Sequence, residues 1–198
     1  HKRQILSGRR LEIDPTEARL VAVDGLRLAI QKAVMPFELP GGKENVRVVI
    51  PGRVLNEMSK VLGDTDEYCT LVFDQSRMTA SFGTTTLSTV LLTGEYIDYR
   101  KILPASFRTT ALADRVGVQN AIDRASLMAR EGKNNLIRMS FSGDTLAISS
   151  NGELGDVLEE LETELTGDPI EIAFNAKYIT DVIRNITDEK LCMRFNSN

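Results

Sequence analysis

The hydrophobic pattern changes period at one place that organises the rest of the chain. Residues 46–50 (VRVVI) are β-branched and apolar except for Arg47, which predicts a strand. Pro51 follows. Proline cannot donate to a ladder and suits the first turn of a helix, so the switch belongs there. Beyond it Val54, Leu55, Met58, Val61 and Leu62 recur on one helical arc, with Arg53, Asn56 and Lys60 on the opposite one. The pattern returns 124 positions later at residues 170–186 (IEIAFNAKYITDVIRNI). Val48 aligns with Ile172, Ile50 with Phe174, Leu55 with Ile179, Met58 with Val182 and Leu62 with Ile186. On the polar arc Arg53 aligns with Lys177 and Lys60 with Arg184. A strand is predicted after each helix, at residues 69–73 and 191–195. No aligned pair is identical, and strand–turn–helix units are common. The pattern alone therefore leaves both a duplicated domain and a coincidence open.

The other elements follow from alternation and turn residues. Residues 9–14 alternate weakly, Pro15-Thr16-Glu17 turns, and strands are predicted at 18–23 and 26–30 around Asp24-Gly25. Residues 32–45 hold two prolines and two glycines and read as a loop. Residues 67–73, 78–82 and 85–93 read as antiparallel hairpins, and residues 94–104 (GEYIDYRKILP) as a linker. A strand at 107–113 leads to Asp114, a good N-cap, and a helix over 115–129 that buries Val118, Ala121, Ile122, Ala125 and Ala129. Residues 131–134 end it, and strands at 136–141 and 145–149 flank a turn at Ser142-Gly143-Asp144. Residues 156–165 (DVLEELETEL) conflict: the spacing of Val157, Leu161 and Leu165 and four Glu favour a helix. The first half has a strand in the equivalent place, so a strand is expected over part of the stretch. A helix there would weaken the repeat.

Composition narrows the function. A chain of 198 residues makes one large domain or two smaller ones, and 42% hydrophobic with 26% charged residues is ordinary for a globular protein. No apolar run is long enough to span a membrane, and the chain does not open on a signal-peptide pattern. Cys69 and Cys192 sit in predicted strands and are expected to be buried thiols in a reducing, cytoplasmic setting. The net charge of −4 means that binding a polyanion needs the basic residues gathered on one face. The single histidine, His1, is terminal and reads as a boundary residue, so no Ser/His/Asp set exists. No Cys/His cluster has zinc spacing, and Gly41-Gly42-Lys43 lacks the Walker pattern. Glu159-Glu160 and Glu162 to Glu164 read as a solvated face rather than paired catalytic carboxylates. These features favour a binding protein over an enzyme, with no metal or cofactor expected.

Five segments in order carry a resemblance: LVAVDGLRLAI (20–30), VVIPGRVLNEMSKVL (48–62), GEYIDYRKILP (94–104), AIDRASLMAREGKNN (121–135) and IAFNAKYITDVI (172–183). Together they resemble the β subunit of bacterial DNA polymerase III, the replication sliding clamp, over essentially the whole chain. The resemblance implies an α+β fold of two DNA-clamp domains, with antiparallel sheets outside and helices on the inner face. It places residues 1–103 as the middle domain without its first strand and helix. Residues 104–198 would be the last domain without its C-terminal strands. Family members are non-catalytic processivity factors: three domains per subunit, two subunits closed head to tail around duplex DNA. Any polymerase label comes through the holoenzyme. The resemblance implies sequence-independent DNA contact by Arg53, Lys60, Arg124, Lys177 and Arg184. It also implies a peptide pocket walled by Leu6, Val23, Gly25, Leu26, Arg27, Leu28, Ile97, Lys101, Ile102, Asn175 and Tyr178. That pocket would take short motifs from the polymerase α subunit, the clamp loader and repair proteins. Many members have Thr at Val23, a polar residue at Leu26, Pro at Ile97 and Arg at Lys101, so this pocket is more apolar. A fragment of this kind is expected not to close a ring. Two rivals are an unrelated two-copy α+β scaffold that binds only protein and a metal-dependent hydrolase using acidic residues.

Overall fold

The computed structural model describes residues 5–63, 67–129, 135–153 and 155–196. Expectations for His1 and for residues 131–134 fall outside them. The chain divides into two compact units, His1–Leu103 and Pro104–Asn198.

In the first unit β1 (Gly8–Ile13), β2 (Glu17–Val23), β3 (Leu28–Val34) and β4 (Val46–Pro51) form an antiparallel sheet in the order β3-β2-β1-β4. Helix α1 (Gly52–Leu62) leaves β4 directly, and β5 (Thr70–Phe73), β6 (Arg77–Phe82) and β7 (Thr85–Val90) make a three-stranded sheet. Strand alternation sends neighbouring β4 residues to opposite cores. Ile50 and Val48 pack with Met58, Met78, Ala80 and Phe82 beneath α1. Val49 packs with Ile5, Val21, Val23, Tyr96 and Tyr99.

Four expectations need correction here. Strand β3 starts at Leu28 and runs to Val34, not over 26–30. The Asp24 carboxylate accepts the N–H groups of Leu26 and Arg27, both at 2.9 Å, and folds Leu26 into the turn. Residues 32–34, assigned to a loop, pair with Glu17, Ala18 and Arg19 of β2. Val61 is exposed because it lies about 60° round the helix from the buried Met58, at the margin of the apolar arc. The supposed linker is docked: Tyr96 and Tyr99 are buried in the first unit, and residues Tyr99–Lys101 form a 3-10 turn.

In the second unit β8 (Thr109–Asp114) enters α2 (Arg115–Ala129), where the Asp114 carboxylate accepts the Gly117 N–H at 2.6 Å. All five expected core residues of α2 are buried. The remaining elements are β9 (Leu136–Ser142), β10 (Thr145–Gly152), β11 (Gly155–Gly167), β12 (Ile170–Asn175), α3 (Ala176–Ile183) and β13 (Lys190–Phe195). The sheet order is β12-β9-β10-β11-β8-β13. Residues 156–165 are strand throughout, since β11 satisfies β10 on one side and β8 on the other. Phe141, Ile137, Met139, Leu146 and Ile148 are fully buried, each contributing about 1.5–3 kcal/mol of transfer free energy. Cys192 is exposed, not buried: on edge strand β13 the alternation turns Leu191 and Met193 toward the core and Cys192 away. Cys69 is partly buried.

The repeat extends beyond the aligned segments. The order β11-β10-β9-β12 copies β3-β2-β1-β4, with the same antiparallel pairings, and each copy continues into a helix and a strand. Leu11 opposes Val48 as Met139 opposes Ile172. The helices differ in anchor. Met58 is buried, its counterpart Val182 is exposed, and Ile183 takes the buried place in the shorter α3.

Candidate peptide and nucleic-acid interfaces

Nine of the eleven expected pocket residues belong to the first unit, where three local features place them. The Asp24 turn holds Gly25 open and projects Leu26, which is 76% exposed. Arg27 Nε donates to Asp24 Oδ2 at 2.9 Å, so the guanidinium is tied to its own turn. The Leu26 N–H and then the Arg27 side chain, bonding the exposed Asp24 carboxylate, hold it below its usual range. Val23 is buried, and Leu6 and Leu28 pack against the same cluster. The third feature is the docked segment 94–103, which carries Ile97, Lys101 and Ile102. Ile97 and Ile102 are exposed, and Lys101 Nζ lies 3.4 Å from the Asp98 carboxylate. A groove of about 570 Å³ runs beside this segment, lined by Ile5, Leu6, Tyr96, Ile97 and their neighbours. The first unit thus brings Leu6 and Ile97 into one groove and Leu6, Val23 and Leu28 into one apolar cluster. Asn175 and Tyr178 belong to the second unit. There the Asn175 side chain caps α3 by accepting the Lys177 N–H at 3.0 Å, and Tyr178 is half-buried.

What fixes the docked segment is a network not anticipated from the sequence. Tyr96 OH donates to the Val21 carbonyl at 3.2 Å. Tyr99 OH donates to Glu12 Oε2 at 3.0 Å, and Arg100 Nη2 reaches the same oxygen at 2.5 Å. Arg10 Nε lies 2.8 Å from Glu12 Oε1. Burial pushes the Glu12 carboxyl up, but the bonds from Arg100 and Tyr99 and the charge of Arg10 hold it below its ordinary value. Burial, then the Glu12 carboxylate, pushes the Tyr99 phenol up. The spacing Tyr96-x-x-Tyr99-Arg100 inside a supposed linker was the available signal.

The expected DNA-contacting residues fall into two classes. Arg53 and Lys177 are exposed at the starts of α1 and α3, and neither is ion-paired to another described residue. The other three have carboxylate partners. Lys60 Nζ lies 2.9 Å from Glu57 Oε1, and Arg184 Nη2 lies 3.1 Å from Asp123 Oδ1 on α2. Arg124 grips Glu159 on β11 through Nε and through Nη2, the latter at 2.6 Å. That grip holds the Glu159 carboxyl below the usual range. Beside Arg53 and Lys60 a hollow of about 530 Å³ also receives Arg9 from β1, which the sequence did not single out. Among the described residues no three His, Cys, Asp or Glu side chains group to hold a metal ion, and no helix is long and apolar enough to cross a membrane.

Comparison with known families bears directly on these surfaces. The family described as DNA polymerase III beta subunit, central domain, matches residues 1–98, and the C-terminal domain of the same subunit matches residues 100–198. The chain belongs to the DNA polymerase III beta-subunit family. A beta sliding clamp from Staphylococcus aureus is 33% identical over 195 residues, covering 98% of this chain and 51% of the relative. The crystal structure of the Bacillus subtilis DNA polymerase sliding clamp superimposes with a TM-score of 0.91 at 31% identity, covering 100% of this chain and 52% of that one. A putative DNA polymerase III beta subunit from Eubacterium rectale gives 0.90 at 27% identity, covering 98% and 52%. The chain therefore spans about half the length of the relatives it matches, and its two units are beta-subunit domains. That membership removes the unrelated scaffold as a rival.

Proposed function

We propose that this chain supplies two domains of a DNA sliding clamp, a non-catalytic processivity factor that holds duplex DNA without reading its sequence. The observation that carries this reading is the consecutive match to the central and C-terminal domains of one beta subunit. The duplicated helices support it, since α1 and α3 each present cations on an exposed arc: Arg53 and Lys60, then Lys177 and, just past the helix end, Arg184. A clamp needs weak phosphate attraction rather than base contacts, and flexible cations on helices give that. Lys60, Arg124 and Arg184 exchange their carboxylate partners for phosphate, whereas Arg53 and Lys177 are ready. Duplexes of unrelated sequence should bind equally and ever more weakly as salt rises. A strong sequence preference, or no binding at low salt, overturns the reading.

The second role is docking of short, partly hydrophobic peptides from a replicative polymerase and other clamp partners. In the first unit Leu6, Leu28, Ile97 and Ile102 offer apolar surface while Val23 is buried, and Arg27 adds a polar handle; in the second unit Asn175 and Tyr178 carry polar groups. A sliding clamp from Pseudomonas aeruginosa, 27% identical, has been solved with griselimycin bound, which supports a ligand-accepting surface on this fold. In a titration with a polymerase-derived clamp-binding peptide, Leu28→Ala and Tyr178→Ala should each weaken binding. Unchanged affinity in both removes the assignment. By itself the chain should not form a closed ring, and a DNA-encircling dimer seen by light scattering refutes that.

A further inference from the structure

We infer that the hollow between β1 and α1 is a backbone-phosphate site in which Arg9 is the residue that no expectation assigned. The inference rests on the DNA reading above and adds a place and a residue to it. The hollow holds about 530 Å³ and is lined by Arg9, Arg53 and Lys60 against one carboxylate, Glu57, with Asn56 between them. Arg9 comes from a different element than the helical cations, so the charge is gathered across the fold rather than spread along one helix.

The hollow is shaped to hold that guanidinium. Gly52 N–H donates to the Ser7 carbonyl at 3.2 Å, which joins the start of α1 to the chain entering β1. A Cβ at Gly52 would lie 2.9 Å from the Ser7 oxygen and 3.3 Å from both Arg9 Cζ and Nη1. The missing side chain is the space the guanidinium uses. Arg9 Nη1 bonds the Gly8 carbonyl at 3.2 Å, and Arg9 is ion-paired to no described carboxylate.

The electrostatics favour an anion there. The first turn of α1 carries no acidic residue, and its N-cap is Pro51, which offers no side-chain cap. Helix N-termini carry partial positive charge, so a guanidinium parked against one is unfavourable until an anion shares the site. Arg53 adds a second cation at that end. Lys60 lies two turns further, about 10 Å along the axis, so successive phosphates of one strand can be met in turn. A phosphodiester strand supplies such spaced single charges, and a guanidinium gives it a bidentate fit.

The test uses the whole chain and a short duplex of arbitrary sequence, read by fluorescence anisotropy across a salt series and by the Arg9 Nε–H and the Gly52 and Arg53 amide signals in NMR. Arg9→Gln should weaken binding severalfold at low salt and lower the salt slope by about one. Arg9→Lys should restore the slope because the charge is kept, and Lys43→Gln, on an exposed loop, should match wild type. Duplex should shift the three signals. If wild type binds but Arg9→Gln keeps its affinity and slope, the inference fails and the DNA reading stands. An equal loss of slope in Arg9→Lys and Arg9→Gln also overturns it, since charge is then not what matters. If wild type does not bind duplex, the DNA reading falls and takes the inference with it.

Discussion

Replacing Glu12 with Gln tests how the docked segment is held. Glu12 is 6% exposed and meets Tyr99, Arg100 and Arg10 within 3.0 Å. Hydrogen bonds to charged groups are worth about 1.5–3 kcal/mol each, and an amide keeps one acceptor oxygen while losing the charge. Arg100 is 46% exposed in its side chain, so water compensates part of its loss. The net cost at neutral pH is about 2 kcal/mol, which for a unit of this size lowers the melting temperature by roughly 10 °C. The near-UV dichroism of the tyrosines reports it, because Tyr96 and Tyr99 are the buried pair in the first unit. The pH dependence has a definite sign. The folded Glu12 carboxyl lies below its ordinary value of about 4.5, so its contribution is fully present above about 4.5 and is lost as pH falls through the lower folded value. The gap between wild type and Glu12→Gln should therefore close on acidification below that point. A gap that stays constant from neutral to strongly acidic pH, or no gap at all, refutes the reasoning.

Other substitutions probe the second unit. Phe141→Ala removes a fully buried ring and should cost about 3–5 kcal/mol, read as faster amide exchange in β9 and β10 with β1 and β2 unchanged. Gly167→Ala should cost about 3 kcal/mol or more, measured by urea unfolding. Its φ is +101° and an added Cβ would fall 2.0 Å from the Arg108 carbonyl oxygen.

The first strand–turn–helix unit was legible because Pro51 and the change of period mark the boundary locally, and the second through its likeness to the first. The strand over residues 156–165 was legible only through the repeat. Its side-chain spacing suits a helix, and pairing to both β10 and β8 decides the matter. Other features depend on partners distant in sequence and leave no local mark. Glu12 looks like any charged strand residue until Tyr99 and Arg100, 87 and 88 positions later, close over it. Residues 94–104 read as a linker because their own sequence does not show which face of a sheet lies uncovered. Cys192 was misplaced because apolar neighbours said strand but not which side of the strand. Val182 diverged from Met58 because α3 ends three residues shorter than α1 and tilts its burial onto Ile183. At the candidate interfaces, the exposure of Arg53 and Lys177 was readable from helix phase. The partners that restrain Arg124 and Arg184 lie on other elements, and so does Arg9, which joins the same hollow as Arg53.

The central claim is that the duplicated helices hold duplex DNA by charge alone, and the salt dependence of binding tests it most directly. Affinity for a short duplex should fall linearly with salt on logarithmic axes for the wild-type chain. In a variant carrying Arg53→Gln, Lys60→Gln, Lys177→Gln and Arg184→Gln that slope should drop by about three to four, at roughly 0.9 per phosphate contact. An unchanged slope in the fourfold variant would contradict the account.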